Sequence, residues 1–176
     1  MTDEESLQRA IHEAVALHAY NPQWPALFAA ERDRLLGLFP QMIAVEHIGS
    51  TAVPGLSAKP IIDLMAGVAS MEMAISLTIL LCQSGYTTSS EFNAPLTDRQ
   101  WFMRWADGHR THHLHVVVHE CDIWNARLKF RDALRGNAGL AARYLQLKQR
   151  LASENAQDRE AYTLAKTAFI QSLAAS

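Results

Sequence analysis

The stretch VEHIGSTAVPGLSAKPIIDLMAGV, residues 45–68, decides the fold prediction for this chain of 176 residues. Residues 42–48 are rich in aliphatic side chains and predict a β-strand. Residues 61–68 predict a second strand, which is apolar except for Asp63. Between the two strands, residues 49–59 contain two glycines and one proline, and they predict a loop or a loop that opens a short helix.

Working outward from this strand pair, helical and extended patterns alternate along the chain. Asn21 is a candidate cap for a helix that ends at residues 37–40, with Pro22 in its first turn, and Gly85 is placed to end a later helix. The predicted helices cover residues 6–19, 22–36, 71–83, 122–134, 139–151 and 157–173, and further strands cover residues 87–90, 100–105 and 111–119. This order favours an α+β or α/β sheet covered by helices.

Composition narrows the class of protein. Hydrophobic residues make up 49% and charged residues 19%, as expected for one compact domain rather than a disordered chain. The formal charge of -2 argues against general nucleic-acid binding. Cys82 and Cys121 form no disulfide framework and are expected to be buried thiols in a reducing compartment. With a polar N-terminus and apolar runs too short to span a bilayer, we expect a soluble, cytoplasmic protein without membrane contacts.

The loop between the two strands has the residue types of a phosphate site. Gly49 allows close approach of a ligand to the backbone, and Ser50 and Thr51 offer hydroxyl and N–H donors. Lys59 adds a positive charge near the next strand. Asp63 stands alone in an apolar strand, where a carboxylate needs a partner such as a divalent metal, a salt bridge or a hydrogen-bonded cap.

Histidines form a second cluster, because five of the eight in the chain fall within residues 109–119. In a regular strand, His113, His115 and His119 share one face. Imidazoles at this spacing can bind a transition metal or, when protonated, a phosphate, although the spacing matches no closed zinc site. We place the ligand or catalytic role on His115 first and on His113 second, with a histidine-rich solvated face as the alternative.

Candidate phosphate-binding groups follow on the C-terminal helices. Arg131 is one of them, and Tyr144 and Lys148 are four residues apart on a predicted helix. Tyr162 and Lys166 repeat the same spacing on the next helix. Such pairs share a helix face and can converge on a polyanion, or they can be solvated lysines packed over aromatic rings.

Taken together, these motifs resemble the GrpB family. The resemblance begins with residues 45–68 and extends, in the same order, to NPQWP at 21–25, THHLHV at 111–116, FRDALR at 130–135, and the segments 144–148 and 162–166. It covers residues 20–176, which leaves residues 1–19 as an N-terminal helical extension. The resemblance implies a nucleotidyltransferase-like α+β fold, in which a mixed β-sheet is flanked by helices and followed by C-terminal helices.

The resemblance also implies where chemistry would take place. In active nucleotidyltransferases a Gly-Ser turn precedes two aspartates spaced by one residue, and with a later carboxylate these hold two magnesium ions. Gly49 and Ser50 match the turn, and Asp63 matches the first aspartate. The second aspartate would fall at Met65, and the later strand offers His115.

The leading hypothesis is therefore a nucleotidyltransferase-like protein that binds a nucleotide or another phosphorylated small molecule, with metal-dependent nucleotidyl transfer as the reaction. Asp63 and His115 would hold a divalent metal, magnesium or manganese with zinc as an alternative, and His113 would join them in catalysis. The expected ligand-binding residues are Gly49, Ser50, Thr51, Lys59, Arg131, Tyr144, Lys148, Tyr162 and Lys166. The rival hypotheses are a non-catalytic binding module, a transition-metal hydrolase and a nucleic-acid end-modifier, the last opposed by the charge balance.

Overall fold

The structure is a computed structural model, and it describes residue 5 and residues 16–154. Tyr162, Lys166, the predicted helix at 157–173 and most of the predicted helix at 6–19 lie outside the described residues. The helices are α1 (Trp24–Leu38), α2 (Met71–Ser76), α3 (Thr78–Gln83), α4 (Ser90–Asn93), α5 (Asp122–Gly136) and α6 (Ala138–Glu154). The strands are β1 (Ala44–Ile48), β2 (Ile62–Val68), β3 (Tyr86–Thr87), β4 (Gln100–Ala106) and β5 (His109–Val118).

The five strands form one mixed sheet in the spatial order β1-β2-β5-β4-β3. Strands β2 and β5 are parallel and central, and the other neighbouring strands are antiparallel. In the β2–β5 pair, Asp63 lies opposite His113 and Met65 lies opposite His115. Paired residues share a face of the sheet, so all four side chains are on the same side. The predicted α+β fold with a mixed sheet flanked by helices is confirmed.

The two faces of the sheet are covered differently. On the side of α1, α2 and α3, Leu64, Leu114 and Phe102 belong to the main apolar core. On the side of α5, a smaller apolar cluster joins Met65 and Val117 to Trp124, Ile48 and their neighbours. Asp63, His113 and His115 are on this α5 side, where they are only partly buried. The polar residues of the sheet therefore lie on its α5 side, and the region bounded by Asp63, His115 and α5 is here called the cleft.

The predicted elements between β2 and β4 need correction. The helix predicted at 71–83 is two short helices that meet at Leu77, and the Ser76 hydroxyl donates to the Met73 carbonyl at 2.7 Å, which competes with regular helical bonding. The strand predicted at 87–90 is limited to β3, because the Ser89 side chain accepts the Phe92 N–H and caps α4.

The start of the described chain also differs from the prediction. Residues 16–19 are not helical, and His18 instead pairs with Ala58, with N–H···O distances of 2.8 and 2.9 Å. Asn21 accepts the Gln23 N–H at 2.9 Å, but the helix begins at Trp24, so Pro25 rather than Pro22 lies in its first turn.

Two further observations concern surface properties. Cys82 is exposed because it lies on the outer face of α3, so its predicted burial is wrong. Cys121 is partly buried. Within the part of the chain that the structure describes, no helix combines the length and hydrophobicity that a membrane crossing needs.

Candidate functional site

A tight contact between Gly49 and Asp63 forms the floor of the cleft. Gly49 has φ 74° and ψ −174°, a conformation that side chains rarely allow. A Cβ atom at this position would lie 2.5 Å from Asp63 Oδ2. Residue 49 is therefore glycine because the Asp63 carboxylate rests against its backbone. The predicted proximity of the Gly-Ser turn to the Asp63 strand is seen in the structure.

The residues after Gly49 form a short 3-10 turn, Ser50–Ala52, and they point in different directions. Thr51 is buried, and its hydroxyl lies 2.9 Å from His47 Nε2, on the α1 side of the sheet. Ser50 is only partly buried, and its side chain lies near the Tyr144 hydroxyl, whose pKa it lowers against the larger effect of burial. Of the two predicted hydroxyl ligands, Ser50 is the one on the side of the Asp63 carboxylate.

Asp63, His113 and Arg110 form a linear chain of contacts. His113 Nδ1 lies 3.2 Å from Asp63 Oδ1, and His113 Nε2 lies 2.8 Å from Arg110 Nη1. Because a guanidinium group can only donate, His113 Nε2 accepts, and Nδ1 carries the proton that faces the carboxylate. Both ring nitrogens of His113 are thus used inside the protein. This geometry orients Asp63 and leaves no free basic nitrogen on His113.

His115 differs from His113, because one of its ring nitrogens has no hydrogen-bond partner among the described residues. It lies between Met65 on β2 and Trp101 on β4. Its Nδ1 atom is shielded from solvent and has no hydrogen-bond partner in the described part of the chain. Burial lowers the pKa of His115 well below its ordinary value, and the positive charge of Arg127 lowers it further. The imidazole is therefore neutral at physiological pH and has an unused polar atom.

Helix α5 lines the cleft with arginines at four-residue spacing, which places them on one helix face. Arg135 donates to the Ala52 carbonyl at 2.8 Å. Arg131 donates to Glu46 Oε2 at 2.8 Å and to the His47 carbonyl at 3.0 Å. These three contacts fasten α5 to β1 and to the turn. The predicted phosphate ligand Arg131 is thus engaged in an ion pair.

Arg127, the third arginine of this face, has a different environment. It makes no hydrogen bond or ion pair with any other residue in the described ranges. Burial lowers its pKa, the nearby charge of Arg99 lowers it further, and Asp63 acts in the opposite direction. Arg99 precedes β4, and its Nε atom is likewise shielded from solvent without a partner among residues 16–154. Within the part of the chain that the structure describes, these two guanidinium groups therefore have no hydrogen-bonded carboxylate.

Neither Arg99 nor Arg127 is among the site residues predicted from the sequence. Arg127 has a sequence signal, because Arg127, Arg131 and Arg135 recur at intervals of four residues. Arg99 has none, since it lies in a polar turn before β4, and only the folded sheet brings it near His115 and Arg127.

Helix α6 packs against the loop that joins β1 and β2. Tyr144 is buried, and burial raises the pKa of its hydroxyl. Lys148 is 2% exposed, lies 5.5 Å from the Tyr144 ring centroid, and donates to the Ser57 carbonyl at 2.8 Å. Tyr144 and Lys148 lie on one face of α6, as predicted. The Lys148 ammonium group, however, is hydrogen-bonded to the loop through the Ser57 carbonyl. Lys59 lies in the same loop and is partly buried.

The donor set does not fit the two-magnesium centre that the nucleotidyltransferase resemblance implies. Asp63 supplies one carboxylate, and Met65 is fully buried in the apolar cluster with Val117 and Trp124. Across the described ranges, no group of three or more histidine, cysteine or acidic side chains is placed to hold a metal ion. His119 packs against the Trp124 ring, with centroids 4.9 Å apart. A metal bound by Asp63 and His115 stays a prediction.

Comparisons with known proteins agree on one family. The family model described as GrpB protein matches residues 14–176. The glutamate-rich protein GrpB of Alkalihalophilus pseudofirmus is 31% identical over 164 residues, which cover 90% of this chain and 93% of the relative. The UPF0157 protein YqkA of Bacillus subtilis is 34% identical over 89% of this chain, and the match spans 45% of that relative's length.

A solved structure supports the same assignment. The crystal structure of the conserved protein GrpB from Enterococcus faecalis superposes with a TM-score of 0.77 at 32% sequence identity. The match covers 89% of this chain and 93% of the other. Sequence and fold therefore lead to the same conclusion: the chain belongs to the GrpB family.

Proposed function

We propose that this chain binds a phosphorylated small molecule in the cleft between the sheet and α5, with a nucleotide as the favoured class. The observation that carries the proposal is the pair Arg99 and Arg127, two like charges held near each other without a hydrogen-bonded carboxylate among the described residues. Burying unpaired charge is costly. A phosphate bound between the two guanidinium groups would offset this cost through charge-assisted hydrogen bonds.

The surroundings of the arginine pair add neutral hydrogen-bonding groups. His115 offers its unused Nδ1 atom, and Ser50 offers a hydroxyl on the same side of the sheet as Asp63. Neutral donors and acceptors beside a cationic pair suit a ligand with both a phosphate and hydroxyl groups. This combination supports a nucleotide or a sugar phosphate over a simple carboxylic acid.

Binding without turnover is a second candidate, and Met65 favours it. Met65 is fully buried at the position where an active nucleotidyltransferase would carry its second aspartate. Nucleotidyl transfer predicts release of pyrophosphate when the protein is incubated with nucleoside triphosphates and a divalent metal. A binding module predicts saturable binding with no pyrophosphate release.

The test of the proposal is calorimetric titration with inorganic phosphate, pyrophosphate and ATP. The informative variant is Arg127→Gln, and Arg32→Gln is the matched control, because Arg32 lies on α1 and pairs with Asp33 at the surface. We expect the wild type and Arg32→Gln to bind at least one probe with similar affinity. Arg127→Gln should bind it about tenfold more weakly or worse, the usual effect of losing a charge-assisted contact.

Two outcomes would overturn the proposal. One is the absence of saturable binding of any of the three probes to the wild type. The other is binding by Arg127→Gln with wild-type affinity, since this would remove the arginine pair from the site. A thermal-shift measurement on the same samples provides an independent readout, because a specific ligand raises the melting temperature by mass action.

A further inference from the structure

We infer that the cleft binds the phosphate group of its ligand directly through arginine side chains, without a divalent metal ion. This inference rests on the proposed function and names how the same site recognises its ligand. It differs from the arrangement that the nucleotidyltransferase resemblance implies, in which carboxylates hold two magnesium ions.

The charges around Asp63 favour an anion over a divalent cation. Three guanidinium groups, those of Arg99, Arg110 and Arg127, lie on the same side of the sheet as this carboxylate. Asp98 is a second carboxylate near Arg127, so three positive charges face two negative ones. Arg110 is 3% exposed and its contact to His113 fixes it in place. A divalent cation entering this environment would meet an excess of positive charge, whereas a phosphate would be attracted.

Both carboxylate oxygens of Asp63 make contacts within the protein. One carboxylate oxygen lies 3.2 Å from His113 Nδ1, and the other rests against the backbone of Gly49. A metal ligand would need an oxygen directed toward the ion. The geometry instead assigns Asp63 to holding the Gly49 turn and to balancing part of the arginine charge.

The surroundings of Met65 on β2 are too apolar for a second acidic ligand. Position 65 is covered by Ile48, Val117 and Trp124, and its side chain has no solvent exposure. A carboxylate there would be buried in an apolar cluster, which is unfavourable. The local packing therefore maintains an arginine site and opposes a carboxylate site.

The two mechanisms of recognition predict opposite effects of Asp63→Asn. If a metal ion bridges protein and phosphate, removing the carboxylate charge weakens binding severely. If the arginines bind phosphate directly, removing a negative charge beside the anion leaves the affinity unchanged or increases it. The asparagine keeps an oxygen in the place of Asp63 Oδ1, so the close contact with His113 Nδ1 can be retained.

The experiment is calorimetric titration of the full chain with pyrophosphate, in magnesium-containing buffer and in EDTA, for the wild type, Asp63→Asn and Arg127→Gln. We expect the wild-type dissociation constant to differ by less than threefold between the two buffers. Asp63→Asn should bind in EDTA at least as tightly as the wild type, and Arg127→Gln should bind at least tenfold more weakly in both buffers.

Wild-type binding that disappears in EDTA and returns with magnesium would overturn this inference and leave the proposed function standing. Tenfold weaker binding by folded Asp63→Asn would also overturn it. No binding of pyrophosphate in any arm would overturn this inference, and the proposed function falls with it if inorganic phosphate and ATP also fail to bind. If Asp63→Asn fails to fold, as judged by circular dichroism, the comparison of the wild type in the two buffers decides.

Discussion

Two clusters of charged residues lie on opposite faces of the sheet and differ in how their charges are matched. On the α1 side, Glu31 is 4% exposed and contacts Arg34 at 2.7 Å and Arg104 at 2.6 Å. The Tyr86 hydroxyl donates to the same carboxylate at 2.7 Å. On the α5 side, Arg99 and Arg127 have no hydrogen-bonded carboxylate among the described residues.

Whether the charges are paired within the protein distinguishes a structural cluster from a binding cluster. Burial alone would raise the pKa of Glu31, but its hydrogen bonds with Arg34 and Tyr86 reverse this and lower it. The Glu31 cluster is therefore complete within the chain, and its role is stability. Among the described residues, the Arg99–Arg127 cluster has Asp63 and Asp98 nearby but no hydrogen-bonded carboxylate, and an anionic ligand is the partner that would complete it.

The largest effect is expected when the complete cluster is broken. Glu31→Ala leaves Arg34 and Arg104 without their shared carboxylate and should lower the free energy of unfolding by about 4 kcal/mol. Chemical denaturation measures this value. Asp33→Ala is the matched control, because Asp33 pairs with Arg32 at the surface and its side chain is 68% exposed. A loss below about 1 kcal/mol for Glu31→Ala would contradict the structural role.

Lowering the pH should reduce the free energy of unfolding, because His47 on the α1 side of the sheet is buried as a neutral imidazole. His47 is 5% exposed, and burial lowers its pKa from 6.5 to about 4. The unfolded chain therefore takes up a proton at higher pH than the folded chain. The stabilisation is present above about pH 6.5 and is lost as the pH falls toward 4, by about 3 kcal/mol in total.

The comparison of wild type and His47→Gln isolates this contribution. Other acid-sensitive groups, such as Glu31, are common to both proteins. The wild type should lose up to about 3 kcal/mol more than the variant between pH 7 and pH 4 in denaturation experiments. Parallel pH profiles for the two proteins would show that His47 does not titrate as its burial requires.

A smaller effect is expected at the floor of the α5-side cleft. Gly49→Ala places a Cβ atom 2.5 Å from Asp63 Oδ2 in a backbone conformation with positive φ, and should cost about 2 kcal/mol. Gly37→Ala is the matched control, since Gly37 lies in α1 with no atom within 4 Å of an added Cβ, and should be neutral or slightly stabilising. Equal stabilities for the two variants would show that the contact between Gly49 and Asp63 is unimportant.

Much of the α5-side site follows from local sequence patterns. Strand alternation places His113 and His115 on one face, and the apolar run around Asp63 identifies β2. Gly49 predicts a turn from the sequence. The structure gives a second reason for glycine at this position, because the Asp63 carboxylate lies next to it.

The rest of the site depends on contacts between distant segments. Residue 110 reaches His113 because the register shifts between Arg104 and Trp105, an irregularity that the sequence pattern does not show. Lys148 is directed to the Ser57 carbonyl by the packing of α6 on the loop. The spacing of Tyr144 and Lys148 predicts their common face but not the partner of the ammonium group.

The most direct test of the central claim is the stability of Arg127→Met in phosphate-free buffer. If Arg127 is held in place for an anionic ligand, its replacement by an apolar side chain of similar length should keep or raise the free energy of unfolding, by up to about 1 kcal/mol. The same variant should lose the increase in melting temperature that ATP or pyrophosphate gives the wild type. A loss of about 3 kcal/mol with the ligand-induced increase retained would contradict the claim, since Arg127 would then be a structural residue.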